Sequence, residues 1–123
     1  MIVAVLDASA LLAWLQDEPG ADIVQDLLDT GSACSAVNYA EVAQKVRTRG
    51  GNWALTADLM ASYGLQIEPA TADDAVVAAA LWKDDRQVSL ADRFCLATAH
   101  RLGVPAWTTD RAWGSSDTVK QLR

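Results

Sequence analysis

Residues 2–15, Ile2-Val3-Ala4-Val5-Leu6-Asp7-Ala8-Ser9-Ala10-Leu11-Leu12-Ala13-Trp14-Leu15, decide the fold. The run from Ile2 to Leu6 is short, apolar and rich in β-branched side chains, as a strand buried on both faces requires. Asp7 ends it, and from Ser9 to Gln16 the chain reads as a helix that Pro19-Gly20 closes. A buried strand that passes through one acid into a helix is the opening unit of a parallel sheet, whose strands need crossover connections.

The alternation continues to the end of the chain. Ala21 to Asp29 places Ile23, Val24, Leu27 and Leu28 on one helical face, with Gly31 as the stop. Ser32 to Cys34 is a weak second strand. A helix from Ser35 runs through Val37, Ala40, Val42 and Val46 to Gly50-Gly51, and another covers Trp53 to Tyr63. Leu65 to Glu68 reads as the third strand. Thr71 caps a helix reaching about Lys83, and Asp84, Asp85 and Arg86 form a polar break. Ser89-Leu90-Ala91-Asp92 resembles a capping box and opens a helix that ends near Leu102-Gly103. Val104 to Trp107 is the fourth strand, and Val119 to Leu122 brings the count to four or five. The expected fold class is α/β, one domain over residues 1–123 with a mostly parallel sheet. Right-handed crossovers then put strand carboxyl ends and helix amino ends along one edge, where open α/β sheets bind ligands.

Composition narrows the chemistry. Half of the residues are hydrophobic (51%), enough for a core, yet no stretch approaches a membrane span. No basic leader or small-residue cleavage site precedes the first strand, so a soluble, cytoplasmic protein is expected. The formal charge of −6 argues against a broadly basic nucleic-acid face. It leaves room for a nuclease whose positive charge comes from bound metal, and it favours a basic protein partner. Cys34 and Cys95 sit in apolar settings and read as buried hydrophobes of a reducing compartment. With one histidine, His100, neither a zinc site nor a Ser-His-Asp triad can be assembled, and no phosphate-cradling glycine loop occurs.

Of the 16 Asp and Glu residues, most lie in polar breaks or on helix faces open to water, Asp73-Asp74 among them. Four differ. Asp7 ends a buried strand, Glu41 and Asp92 lie near the starts of helices, and Asp110 follows the fourth strand. Each alone has an ordinary explanation as a cap or a partner of the helix dipole. Together on one edge they repel, by about 4 kcal/mol for two charges ~4 Å apart at an effective dielectric of 20. A hard cation, Mg²⁺ or Mn²⁺, compensates such a set and supports phosphodiester hydrolysis. Ser9 and Thr108 stand where their hydroxyls could orient a carboxylate, and Asn38 precedes Glu41 by one helical turn. Lys45 is spaced for a surface ion pair with Glu41. Arg93 and Arg111 read as surface charge, and the tryptophans as core or interface anchors.

These residues resemble the PIN-domain ribonucleases, and more narrowly the VapC toxins of VapBC toxin–antitoxin pairs. VLDASALLAWL (5–15), SAVNYAEV (35–42), SLADRFCLATA (89–99) and VPAWTTDRAW (104–113) carry the likeness, in order, across essentially the whole chain. The resemblance implies a three-layer α/β/α sandwich, with Mg²⁺ or Mn²⁺ held by Asp7, Glu41, Asp92 and Asp110. It implies Ser9 and Thr108 as supporting groups, endonucleolytic cleavage of RNA, a homodimer, and neutralisation by a cognate antitoxin. Two alternatives compete with a nuclease: a PIN-like interaction module without activity, and a receiver-like signalling module. The receiver expects a phosphoacceptor Asp after the third strand, where this chain has Ile67-Glu68-Pro69.

Overall fold

In the computed structural model the described residues are 1–84 and 87–123, so Asp85 and Arg86 of the expected polar break lie outside them. The opening strand β1 spans Ala4–Leu6, all three residues fully buried, and α1 (Ala8–Leu15) follows after Asp7. Then come α2 (Ala21–Thr30), β2 (Ser32–Ser35), α3 (Ala36–Thr48) and α4 (Trp53–Ser62). The chain continues through β3 (Gln66–Glu68), α5 (Ala72–Ala80), α6 (Leu90–Leu102) and β4 (Ala106–Thr108). A 3-10 turn at Arg111–Trp113 leads to β5 (Val119–Gln121).

Among the described residues the five strands form one sheet in the order β3-β2-β1-β4-β5, every pair parallel. The mostly parallel expectation is thus met by an all-parallel sheet. Receiver modules use a different order, 2-1-3-4-5. Because side chains alternate across a strand, Leu6 and Cys34 face one side with Leu11, Val24, Leu28, Val42 and Met60. Val5 and Ala33 face the other with Cys95, Ala99, Ala106, Trp113 and Val119. Helices α1 to α4 supply the first layer and α6 the second, which makes the α/β/α sandwich.

Two boundaries depart from the sequence reading, each for a local reason. The fourth strand begins at Ala106, two residues later than Val104, because the Val104 N–H is spent on the Ala99 carbonyl and Pro105 has none. Helix α5 stops at Ala80, short of Lys83, where Leu81 and Trp82 turn to solvent and offer no packing to extend it. The weak second strand is fully buried between β1 and β3; the Ser32 hydroxyl is satisfied there by donating to the Leu27 carbonyl at 2.7 Å.

Asp74 corrects the view of it as a solubilising acid. It is 2% exposed, completes a capping box with Thr71, and accepts from Arg101 at 3.0 and 3.2 Å. Arg101 also reaches Glu68 at 2.9 Å, so one guanidinium staples β3 and α5 to α6. Burial raises the Asp74 carboxyl, but the bonds from Arg101 and Thr71 outweigh it and hold the group below its usual range. Breaking a buried pair by removing one partner costs about 3–5 kcal/mol. With the Arg101 side chain 33% exposed, Arg101→Ala is expected to lower unfolding free energy by about 2 kcal/mol, measured by urea denaturation.

Two further side chains differ from the sequence view. Arg93 is not a surface charge: it turns to α5 and donates to the Ala78 carbonyl at 2.9 Å. Cys34 and Cys95 are buried free thiols, as expected, and burial pushes both well up, away from nucleophilic chemistry.

Candidate active site

Asp7 leaves β1 at its carboxyl end and is 3% exposed. Its Oδ1 accepts from the Ala10 N–H at 2.8 Å, capping α1, and from the Ser9 hydroxyl at 2.7 Å. Its Oδ2 accepts from the Thr108 hydroxyl at 2.6 Å, from the carboxyl end of the neighbouring strand β4. Burial pushes the carboxyl up to about 6 from 3.8; the bonds from Thr108, Ser9 and Ala10 pull the other way, and the charge of Asp92 adds to the rise. A buried acid with three donors still prefers its proton at mildly acidic pH, because burial outweighs the donors and no basic group among the described residues offsets it. Among the described residues, the salt bridges join Arg101 to Glu68 and Asp74, and Arg123 to Glu18; none involves the four singled-out acids.

Thr108 and Ser9 brace the whole corner. The Thr108 oxygen accepts from the Asp110 N–H at 3.0 Å while donating to Asp7, and the Ser9 oxygen accepts from the Thr109 N–H at 3.0 Å. Asp110 itself is exposed and caps the 3-10 turn through Oδ1 to the Ala112 N–H at 2.9 Å. Gln121 of β5 donates to the Asp110 carbonyl at 2.9 Å and to Gly114 at 2.8 Å, pinning the turn to the sheet.

Glu41 and Asp92 come from the two helix layers. Ser35, the last residue of β2, caps α3, so that helix rises from the same carboxyl edge. Glu41 Oε1 accepts from the Asn38 amide at 2.7 Å, and the same nitrogen reaches the Ala91 carbonyl of α6 at 3.3 Å. Asp92 completes the expected capping box, with its Oδ2 on the Ser89 N–H at 3.1 Å and the Ser89 hydroxyl on its own N–H at 3.1 Å. The surface ion pair expected between Lys45 and Glu41 is not made; Asn38 takes Glu41 instead.

All four acids therefore lie along the carboxyl edge of the sheet, and the capping explanation holds for Asp7, Asp92 and Asp110. A cap occupies only part of a carboxylate. Glu41 Oε2, Asp92 Oδ1 and Asp110 Oδ2 have no protein donor among the described residues. The fields of Asp7, Glu41 and Asp92 all reach Cys95 beneath the site, where each adds to the rise of its thiol. Asp110 is joined to Asp7 by hydrogen bonds through Thr108. Among the described residues no three His, Cys, Asp or Glu side chains are grouped closely enough to enclose an ion.

The donor set fits a hard divalent cation. It is made of oxygen, lacks a basic competitor among the described residues and includes a buried acid whose ionisation the protein compensates only in part. Mg²⁺ does not need an all-protein cage, since it keeps several waters and is held by one or two carboxylates. Soft or borderline metals find no partner here: both cysteines are buried in the core and His100 lies at the far end of α6.

A parallel sheet with acids collected at the carboxyl ends of its strands is the architecture of a PIN domain, and the chain belongs to that family, whose model matches residues 4–116. Among its relatives, Ribonuclease VapC42 of Mycobacterium tuberculosis is 31% identical over 112 residues, covering 82% of this chain and 86% of the relative. The chain is thus a member of the VapC-type group of PIN-domain proteins. A toxin–antitoxin complex from Klebsiella pneumoniae contains a chain of the same fold, with a TM-score of 0.79, 18% identity and 98% coverage of both chains. The sarcin–ricin-loop-cleaving toxin VapC20 of M. tuberculosis superposes with a TM-score of 0.70 at 20% identity, covering 93% of this chain and 97% of that one. Family membership sets aside the receiver-like alternative. Among the described residues no helix is long and apolar enough to cross a membrane.

Proposed function

We propose that this protein is a Mg²⁺- or Mn²⁺-dependent endoribonuclease, the toxin of a type II toxin–antitoxin pair, with Asp7, Glu41, Asp92 and Asp110 as its metal-binding and catalytic acids. The observation that carries the reading is Asp7: a carboxylate 3% exposed, at the carboxyl end of the central strand, with hydroxyl donors on both oxygens and, among the described residues, no basic partner. A VapC-type chain has a use for such a group, and a purely structural cap does not need one.

Asp7, Glu41 and Asp92 would hold the ion, with Asp110 at the outer side of the site. When bound, the cation supplies the positive charge that an acidic protein needs to accept an anionic phosphodiester, and it makes water a better nucleophile. The chain's own residues do the rest. Ser9 and Thr108 fix both oxygens of Asp7, so the carboxylate has little freedom to turn away. Glu41 Oε2 and Asp92 Oδ1 are the oxygens left to bind the ion or to take a proton from the attacking water. Gln121 holds the backbone at Asp110, which keeps that acid beside the entry to the edge.

A cognate antitoxin is the expected protein partner, a reading supported by the Klebsiella toxin–antitoxin complex of the same fold. The net charge of −6 favours a partner with a basic surface. The test of activity is direct. Purified protein incubated with RNA and Mg²⁺ or Mn²⁺ is expected to produce internal cleavage, EDTA to stop it, and excess Mg²⁺ to restore it. Cleavage that continues in EDTA overturns the proposal.

A further inference from the structure

Asn38 is an expensive residue for its position. It is 0% exposed, within a helix, and among the described residues its Oδ1 has no hydrogen-bond partner. A buried acceptor left unpaired destabilises a fold, and an apolar side chain of similar size would remove the penalty. The chain keeps the amide, and its other end shows the use made of it. One nitrogen, Nδ2, meets Glu41 Oε1 at 2.7 Å and the Ala91 carbonyl at 3.3 Å. Ala91 immediately precedes Asp92 in the first turn of α6. The orientation of the amide is fixed by charge, since a flip would turn Oδ1 against the Glu41 carboxylate.

We propose that Asn38 is a positioning residue, tying Glu41 to the first turn of α6 and so setting the spacing of Glu41 and Asp92 that a divalent cation requires. This rests on the metal-binding reading above and goes beyond it, because Asn38 touches neither metal nor RNA in this role. Its amide hydrogens act on Glu41 Oε1 and on the backbone that carries Asp92. The effect passes through the acids. Groups that orient metal ligands in this way typically change metal affinity about 10–100-fold when removed.

The experiment is calorimetric titration of the full chain with Mn²⁺, without RNA, alongside thermal unfolding. Asn38→Leu is expected to bind Mn²⁺ at least tenfold more weakly than the wild type while remaining folded. In a Glu41→Gln background the same replacement is expected to weaken binding by less than twofold, since the clamp then has no carboxylate to hold. Equal Mn²⁺ affinity in Asn38→Leu and wild type overturns the inference, as does an equal loss with and without Glu41. Should Asn38→Leu fail to fold, Asn38→Ser, smaller than the residue it replaces, carries the same expectation and the same overturning result. A wild type that binds no Mn²⁺ instead defeats the metal-site reading itself, and the inference with it.

Discussion

Asp7→Asn is expected to lower RNA cleavage about a thousandfold or more, some 4 kcal/mol of barrier, and yet to stabilise the metal-free fold at neutral pH. Both effects come from the same burial. The asparagine keeps a carbonyl oxygen for the Ala10 N–H and Ser9 hydroxyl, and asparagine is a good helix cap. Its amide meets the Thr108 hydroxyl, which rotates to accept where it donated before. The geometry is preserved and the charge is gone.

The sign of the pH effect follows from the raised carboxyl. Asp7 holds its proton up to about 6 in the fold, against 3.8 for an ordinary aspartate. The folded chain therefore binds this proton more tightly than the unfolded one. The stabilisation is complete below 3.8 and is lost as pH rises through 6, a total on the order of 3 kcal/mol at neutral pH. Asparagine cannot ionise and does not lose it. In EDTA, urea denaturation at pH 7.5 should find Asp7→Asn more stable than wild type, with the gap closing towards pH 4. A variant less stable than wild type at both pH values would contradict this account of burial.

Asp92→Asn is expected to reduce cleavage by a factor of about a hundred to a thousand, without the gain in stability. Asp92 is half-buried, and its Oδ2 serves the Ser89 N–H, a bond that the carbonyl oxygen of asparagine can keep. What the substitution removes is the negative charge at Oδ1, the oxygen with no protein donor among the described residues. Helical circular dichroism should be unchanged, and the ratio of variant to wild-type cleavage at saturating RNA shows the loss. Full activity in Asp92→Asn would reduce this residue to a capping role.

The fold was legible because its signals are local and repeated. Ile2 to Leu6 announced a buried strand, and Thr71 and Ser89 announced helix starts that the structure places at Ala72 and Leu90. What escaped is what depends on distant partners. Asp74 sits in the core because Arg101, 27 residues on, waits there, and nothing beside Asp74 in sequence says so. Lys45, spaced for Glu41, loses to Asn38, whose short amide one turn earlier holds Glu41 Oε1 at 2.7 Å. Pro105 was a signal available in the sequence: a residue without an N–H marks the edge of a ladder, and β4 begins just after it.

The candidate site was legible to a similar depth. Four acids at element ends along one edge were readable from neighbours and topology; their joint hold on one ion was expected as well, and among the described residues no three such side chains are grouped closely enough to enclose one. The division of labour within each carboxylate was not, because one oxygen on a cap and one left free is a matter of ångströms. Nor does the sequence show that Thr108 serves two acids at once, donating to Asp7 and accepting from the backbone of Asp110.

A Mn²⁺ titration followed through the backbone amide signals of the ¹⁵N-labelled protein locates the ion without recourse to activity. Paramagnetic broadening should begin at the amides around Asp7, Glu41, Asp92 and Asp110 and disappear in Asp7→Asn. Broadening that starts instead at the surface acids Asp22, Asp26 and Asp29, or spreads evenly over the chain, would mean that the carboxyl edge of this sheet does not gather a cation.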